Sequence, residues 1–99
     1  MAEGLAQAGA DVVIWGTNPD KNEGAKSRLS AYGTRISAQL VDVRDEQRVN
    51  AAMDELMEAH GRIDTCIANA GIGAQMSPFH EISTEAWRQV MSVNLEGKF

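Results

Sequence analysis

The sequence predicts an α/β fold built on a parallel β-sheet, because strand-like and helix-like segments alternate along its 99 residues. Residues 11–16, 35–41 and 64–68 have strand-like composition, and turn formers bound each of them. Segments with helical periodicity separate the three, so that strands recur about every 25 residues. Such alternation is typical of βαβ units, in which right-handed crossovers make neighbouring strands parallel.

The clearest helical pattern lies between the second and third predicted strands, over residues 45–60. Asp45 is a suitable N-cap and Gly61 a suitable C-terminal stop. One face of this helix is formed by side chains that recur at helical spacing: Val49, Ala52, Met53, Leu56, Met57 and His60.

Two further helices are predicted, over residues 21–32 and 84–99. The first follows an Asn-Pro turn, and the second opens with Ser83 or Thr84 as its cap. Their predicted apolar stripes are Ala25, Leu29 and Tyr32 in the first helix, and Trp87, Val90, Met91 and Leu95 in the second. The segment 71–82 contains Gly, Ser and Pro and is predicted to be a loop.

The two ends of the sequence look unfinished. Residues 1–8 have an amphipathic helical pattern with Gly9 as its stop, but no cap precedes Met1. The last predicted helix is still running at Phe99. We therefore expect these residues to be the interior of a longer domain, and a complete small α/β domain is the less favoured alternative.

The composition excludes several functional classes. Fourteen acidic residues against nine basic ones give a net charge of −5, and the basic residues are scattered, so we expect neither nucleic acid nor a membrane surface as a partner. No apolar run approaches the roughly 20 residues of a spanning helix, and no signal peptide is recognisable. The single cysteine, Cys66, cannot form an internal disulfide, which favours a cytoplasmic location. Its place on a predicted strand makes it core filler rather than a nucleophile.

Most reactive motifs are excluded by spacing. The two histidines and the cysteine lack metal-ligand spacing, and no phosphate-binding loop or nucleophile motif is present, so no metal site is predicted. Gly71-Ile-Gly73 begins like a dinucleotide fingerprint, but Met76 stands where the third glycine belongs and no helix follows at once. Tyr32 is predicted to pack in the core, and no lysine stands four residues after it.

Polar side chains remain at strand ends and on apolar faces: Thr17, Asn18, Asp42, Asn69 and Asn94. Asp42 follows an apolar strand, where ligands bind in open α/β sheets, but a cap or turn carboxylate is an equally good interpretation. Turn chemistry is an alternative for Thr17 and Asn69 as well. Asn94 lies seven residues after Trp87 on the apolar stripe, so its amide should be desolvated and must find hydrogen-bond partners, either structural or catalytic.

Four segments, taken in order, resemble the short-chain dehydrogenase/reductase family over essentially the whole chain: GADVVIWGTN, LVDVRDEQRV, GRIDTCIANAGIG and EAWRQVMSVNLEGKF. The match is specific because all four stand at family spacing. The resemblance implies a Rossmann-type doubly wound parallel sheet in an NAD(P)-dependent oxidoreductase that interconverts an alcohol and a ketone by hydride transfer. It also implies a small-molecule carbonyl or alcohol substrate, and a homo-oligomer assembled through the helix 84–99.

By this resemblance, Asp42 and the backbone of Val43 match the positions that contact the adenine ring. The family's Asn-Asn-Ala-Gly segment, which lies near the adenosine ribose, is matched by Asn69, Ala70 and Gly71. Ala68 stands where the family has its first asparagine, which loosens this part of the match slightly.

The resemblance also assigns Asn94 to the asparagine of the family's Asn-Ser-Tyr-Lys tetrad. That asparagine helps to hold the lysine and a proton-relay water, so the resemblance favours a catalytic role over a structural one. Cofactor choice is normally set at the end of the family's second strand, which residues 11–16 match, and an acidic residue there selects NAD. Gly16 and Thr17 stand there. A 2′-phosphate could be accepted by the Thr17 hydroxyl and by Lys21, which favours NADP over NAD.

The family's glycine-rich loop would precede Met1, and its catalytic serine and Tyr-x-x-x-Lys would follow Phe99. We therefore expect residues 1–99 to be a partial NAD(P)-binding Rossmann domain, from the second strand through the helix after the fourth. The sheet would lack its first and last strands, and the 99 residues alone would be inactive. The alternative hypothesis is a truncated, inactive cofactor-binding or assembly module of the same fold.

Overall fold

The computed structural model describes residues 1–73 and 77–99. Helices and strands alternate in it as α1 (Ala2–Gln7), β1 (Val12–Gly16), α2 (Pro19–Ser30), β2 (Ile36–Leu40), α3 (Glu46–His60) and α4 (Thr84–Asn94). Single 3₁₀ turns cover Phe79–Glu81 and Glu96–Lys98. The predicted α/β class is confirmed. Within the described ranges, no helix combines the length and the apolar character that crossing a bilayer requires.

The two strands form a parallel pair joined by α2. Val12 lies opposite Ile36 and Gly16 opposite Leu40, and the Val41 N–H continues the ladder by donating to the Gly16 carbonyl at 3.1 Å. Because the strands are parallel and in this register, their carboxyl ends lie at the same edge of the sheet. The residues that follow β1 and β2 are therefore neighbours.

Local capping chemistry sets the helix ends. The Lys21 N–H donates to Asn18 Oδ1 at the start of α2, and the Arg48 N–H donates to Asp45 Oδ1 at the start of α3, both at 3.0 Å. Gly61 ends α3 in the left-handed region with φ +74°, a conformation that glycine adopts without steric cost. The predicted caps of α3 are confirmed at both ends.

The hydrophobic core lies between α1, α2 and the sheet. Leu29 of α2 is 1% exposed and packs with Ala6 of α1 and Ile36 of β2. Three partly buried side chains complete the cluster: Ala2, Val12 and Ile14. The apolar stripe predicted over residues 21–32 is thus confirmed at Leu29, whereas Tyr32 is 38% exposed and donates its hydroxyl to Glu3 Oε1 at 2.6 Å.

The third predicted strand, residues 64–68, does not form, and this prediction is wrong. Residues 61–69 are exposed and have no regular structure, and within the described ranges the sheet consists of β1 and β2 alone. A strand is defined by ladder hydrogen bonds to a neighbour, and composition cannot supply that neighbour. Cys66 is accordingly exposed, so its prediction as buried core filler is also wrong.

The last helix is shorter and more exposed than predicted. It ends at Asn94 rather than continuing to residue 99, and the 3₁₀ turn follows it. None of its residues is buried, and Trp87 is 52% and Leu95 60% exposed. The predicted apolar stripe exists, but it has no partner layer among the described residues. The predicted loop over 71–82 holds the 3₁₀ turn Phe79–Glu81, and residues 74–76, including Met76, lie outside the described ranges.

Candidate active site

A groove at the carboxyl edge of the sheet brings Thr17 and Asp42 together. Thr17 follows β1 and Asp42 follows β2, and Leu40, Asp45 and Arg48 complete the lining. The groove has a volume of about 530 Å³ and is open to solvent. Ligand pockets typically measure about 300–1,000 Å³, so this groove is large enough for one half of a dinucleotide.

Arg44 fixes the Asp42 carboxylate and lowers its pKa. The Arg44 Nη2 and Nε atoms donate to the Asp42 carboxylate at 2.5 and 2.9 Å, and the Arg44 backbone N–H donates to Oδ1 at 3.0 Å. These hydrogen bonds lower the pKa of Asp42 from 3.8 to about 2. The groove therefore contains a fixed, ionised hydrogen-bond acceptor at neutral pH.

Replacing Arg44 with glutamine is expected to return the pKa of Asp42 from about 2 toward 3.8, because the charged donor is lost. By linkage, this interaction stabilises the fold above pH 3.8 and the stabilisation disappears as pH falls toward 2. Carbon-detected NMR titration of the Asp42 carboxyl measures the shift directly. Arg44→Lys, which keeps the charge but not the fork of donors, should give an intermediate value. An Asp42 pKa that Arg44→Gln leaves unchanged would contradict this assignment.

Arg48 forms a fixed wall of the groove rather than a free cation. Its Nε donates to the Leu40 carbonyl at 2.9 Å, and its Nη1 donates to Glu55 Oε1 at 2.8 Å. Gln39 joins the same network through a hydrogen bond from its Nε2 to Glu55 Oε2 at 2.8 Å. This network ties β2 to α3 and holds the edge of the sheet in place beside Asp42.

Asn94 clamps the loop that follows the Asn69-Ala70-Gly71 turn. Its Oδ1 accepts from the Ile72 N–H at 2.8 Å, and its Nδ2 donates to the Ile72 carbonyl at 2.9 Å. The side-chain amide thus pairs with one residue's backbone in both directions. The prediction that this amide finds partners is confirmed, although Asn94 is half-buried rather than desolvated.

Gly71 lies beside the same contact. A Cβ on Gly71 would lie 3.4 Å from Asn94 Oδ1 and 4.0 Å from the Asn69 carbonyl oxygen, which are ordinary van der Waals distances. Asn69 itself is exposed, and its N–H donates to the Ile67 carbonyl at 2.8 Å, whereas Ala70 is half-buried. The turn presents small residues to its surroundings.

Val43 lies against the backbone that follows α4. A Cβ on Gly97 would lie 2.6 Å from Val43 Cγ2 and 3.1 Å from the Ser92 carbonyl oxygen, so the backbone after α4 rests directly on this valine. The predicted site residues therefore fall into two groups, one at the ends of β1 and β2 and one at the clamp. Val43 joins the first group to the end of α4.

The sequence predictions missed Asn22, which is 8% exposed on α2. Its Nδ2 donates to the Gly16 carbonyl at 3.1 Å and to the Gln39 carbonyl at 3.3 Å, which ties together the carboxyl ends of both strands. Asn22 lies three residues before Ala25 and seven before Leu29, on the same stripe. The spacing that singled out Asn94 would have identified it too.

The whole chain, residues 1–99, matches the family model described as short chain dehydrogenase. It is 34% identical over 100 residues to the "probable NADP-dependent mannitol dehydrogenase" of Yarrowia lipolytica, an alignment that covers 100% of this chain and 36% of the relative. It is 35% identical over 99 residues to the gluconate 5-dehydrogenase of Gluconobacter oxydans, covering 100% and 38%. A solved 3-oxoacyl-[acyl-carrier protein] reductase from Brucella melitensis, in complex with NAD, superimposes with a TM-score of 0.90 at 28% identity, covering 98% of this chain and 38% of that one.

The chain therefore belongs to the short-chain dehydrogenase family, and its α/β fold is part of a Rossmann sheet. It spans less than two fifths of the length of the two curated relatives. The family assignment that the four segments predicted is confirmed.

Proposed function

We propose that residues 1–99 are a partial NAD(P)-binding Rossmann domain of an oxidoreductase that interconverts an alcohol and a ketone by hydride transfer. The observation that carries this proposal is the groove at the carboxyl ends of β1 and β2, in a chain that matches a dehydrogenase family from end to end. Ligands of open α/β sheets bind at this edge. The named relatives are dehydrogenases of a polyol and a sugar acid, which makes small hydroxylated carbon compounds the first substrates to test.

The described residues fit the adenosine half of a nicotinamide dinucleotide. The carboxylate of Asp42 is an ionised acceptor that would receive a hydrogen bond from the adenine amino group, with the Val43 backbone beside it. Ala70 and Gly71 carry little or no side chain, so the segment Asn69, Ala70 and Gly71 would let the ribose pass close to its backbone. The cofactor supplies the hydride chemistry when bound, and these residues bind and orient it.

The end of β1 favours NADP weakly over NAD. No carboxylate stands at Gly16 or Thr17 to repel a 2′-phosphate, and Thr17 is exposed and lines the groove. Lys21 lies one helical turn away at the start of α2 and is also exposed. The named relatives include an NADP-dependent enzyme and a structure with NAD, so both cofactors belong in the assay.

Asn94 is proposed to support catalysis as a positioning residue. In this role it would help to hold the lysine and the proton-relay water of the family's tetrad, while a tyrosine acts as general acid and base. The single tyrosine of this chain, Tyr32, is followed four residues later by Ile36 and does not match that tyrosine. The clamp on Ile72 fixes the Asn94 side chain, which is the contribution that this chain itself can make.

The proposal is tested on the product of the complete open reading frame that contains these residues. We expect saturable binding of NADP⁺ and NAD⁺ by calorimetry and turnover of a panel of polyols and ketones. Asp42→Ala should weaken both nucleotides by about tenfold or more, the effect of losing a hydrogen bond to a charged group. Asp54→Ala, the same change at an exposed charge on α3, is the matched control. Absence of binding and of turnover with either cofactor would refute the proposal.

A second candidate function is an inactive assembly module, which the exposed apolar residues of the segment 84–99 favour. Trp87 of α4, and Leu95 and Phe99 after it, are all more than half exposed, so this segment has an apolar face that no described residue covers. The same face would carry the homo-oligomeric interface in the parent enzyme. Sedimentation of the 99-residue chain separates the cases: a discrete oligomer supports assembly through α4, whereas a monomer at all concentrations opposes it.

A further inference from the structure

Gly16 has no room for a side chain, although its backbone conformation would allow one. It is not among the glycines with positive φ, which are Gly9, Gly33 and Gly61. A Cβ placed on Gly16, however, would overlap Asn22 Oδ1 and lie 3.2 Å from Asn22 Cγ. The side chain of Asn22 therefore fills the space that any larger residue at position 16 would need.

Asn22 cannot easily rotate away from this position. It is 8% exposed, and its Nδ2 donates to the carbonyls of both Gly16 and Gln39. Moving the amide would break both hydrogen bonds and leave a buried polar group to be satisfied elsewhere, which is costly. Gly24 of the same helix as Asn22 has open space around it, so the crowding at position 16 does not extend to that glycine.

We propose that Asn22 determines cofactor specificity by keeping position 16, the end of β1, free of a side chain. The inference rests on the proposed dinucleotide function of the groove. In Rossmann sheets an acidic residue in this region binds the ribose hydroxyls of NAD and repels the 2′-phosphate of NADP. A carboxylate at position 16 would have to displace the hydrogen-bonded Asn22 amide, so the exposed Thr17 is left as the residue that would meet the ribose.

The coupling predicts that an NAD-selective site requires two changes together. Gly16→Asp alone should lose affinity for both nucleotides, because the new side chain displaces Asn22 from the strand ends. In the double variant Gly16→Asp, Asn22→Ala, the ratio of NAD⁺ affinity to NADP⁺ affinity should be at least about tenfold higher than in the wild type. The carboxylate then has room and repels the 2′-phosphate.

The experiment is a double-mutant cycle on the product of the complete reading frame, with calorimetric binding of NAD⁺ and NADP⁺ and thermal unfolding as independent readouts. Gly16→Ala should clearly lower the midpoint of thermal unfolding when Asn22 is retained, and should lower it much less when Asn22→Ala is also present. Gly24→Ala and Asn50→Ala, both at exposed positions, are the matched controls.

Five outcomes are distinguished. Coupled stability effects with a shifted nucleotide preference in the double variant support the proposal. Additive stability effects, or a tenfold NAD preference from Gly16→Asp alone, overturn it. An unshifted nucleotide preference in a folded double variant also overturns it. If the wild-type protein binds neither nucleotide, the proposed function itself fails and the inference falls with it.

Discussion

Replacing Leu29 with alanine is expected to lower the free energy of unfolding by about 2–5 kcal/mol. Leu29 is 1% exposed and is one of the two largest fully buried side chains, and it packs between Ala6 of α1 and Ile36 of β2. Truncation removes apolar contacts and leaves a cavity that α1 and the sheet cannot fill without moving. Urea unfolding followed by circular dichroism measures the loss.

Leu95→Ala is the matched control because the same chemical change is made at a side chain that is 60% exposed. We expect its effect to stay within about 0.5 kcal/mol, as is usual for surface substitutions. An equal decrease in the free energy of unfolding at the two positions would mean that the packing around Leu29 does not stabilise the fold.

The features predictable from the sequence are those decided by residues close together in the chain. Asp45 and Gly61 end α3 where predicted, because a cap needs only the next few backbone groups or a backbone free to adopt positive φ. Residues 64–68 have the composition of a strand but have no partner strand in the part of the chain that the structure describes, and pairing depends on distant residues. The predicted burial of the apolar stripe on α4 is wrong for the same reason, because the spacing of apolar residues predicts a face and not what covers it.

The site was predictable in part for the same physical reason. Thr17 and Asp42 were expected at one edge because parallel strands end together, and the groove contains both. The partner of Asn94, the backbone of Ile72, could not be predicted because it lies 22 residues away in the sequence. Asn22 was missed although it lies on the stripe of α2, because that helix has few apolar residues to make the stripe evident.

Replacing Asn94 with alanine is expected to release the loop after Gly71 by removing both hydrogen bonds to Ile72. Each such bond contributes about 0.5–1.5 kcal/mol, so the clamp contributes about 1–3 kcal/mol locally. The amide hydrogen of Ile72 should then exchange about tenfold to a hundredfold faster, as measured by hydrogen exchange and NMR.

A second variant separates the clamp from the size of the side chain. Asn94→Asp keeps the acceptor for the Ile72 N–H but replaces the donor with an oxygen that faces the Ile72 carbonyl, so it should disrupt the clamp despite its equal size. Arg88→Ala, at an exposed position of the same helix, should leave exchange at Ile72 unchanged. If Asn94→Ala and Arg88→Ala give the same exchange rate at Ile72, the amide is not what holds the loop. In that case, if the product of the complete reading frame has the proposed activity, a loss of turnover in Asn94→Asp with retained nucleotide binding would have to arise from a direct role of the amide rather than from the clamp.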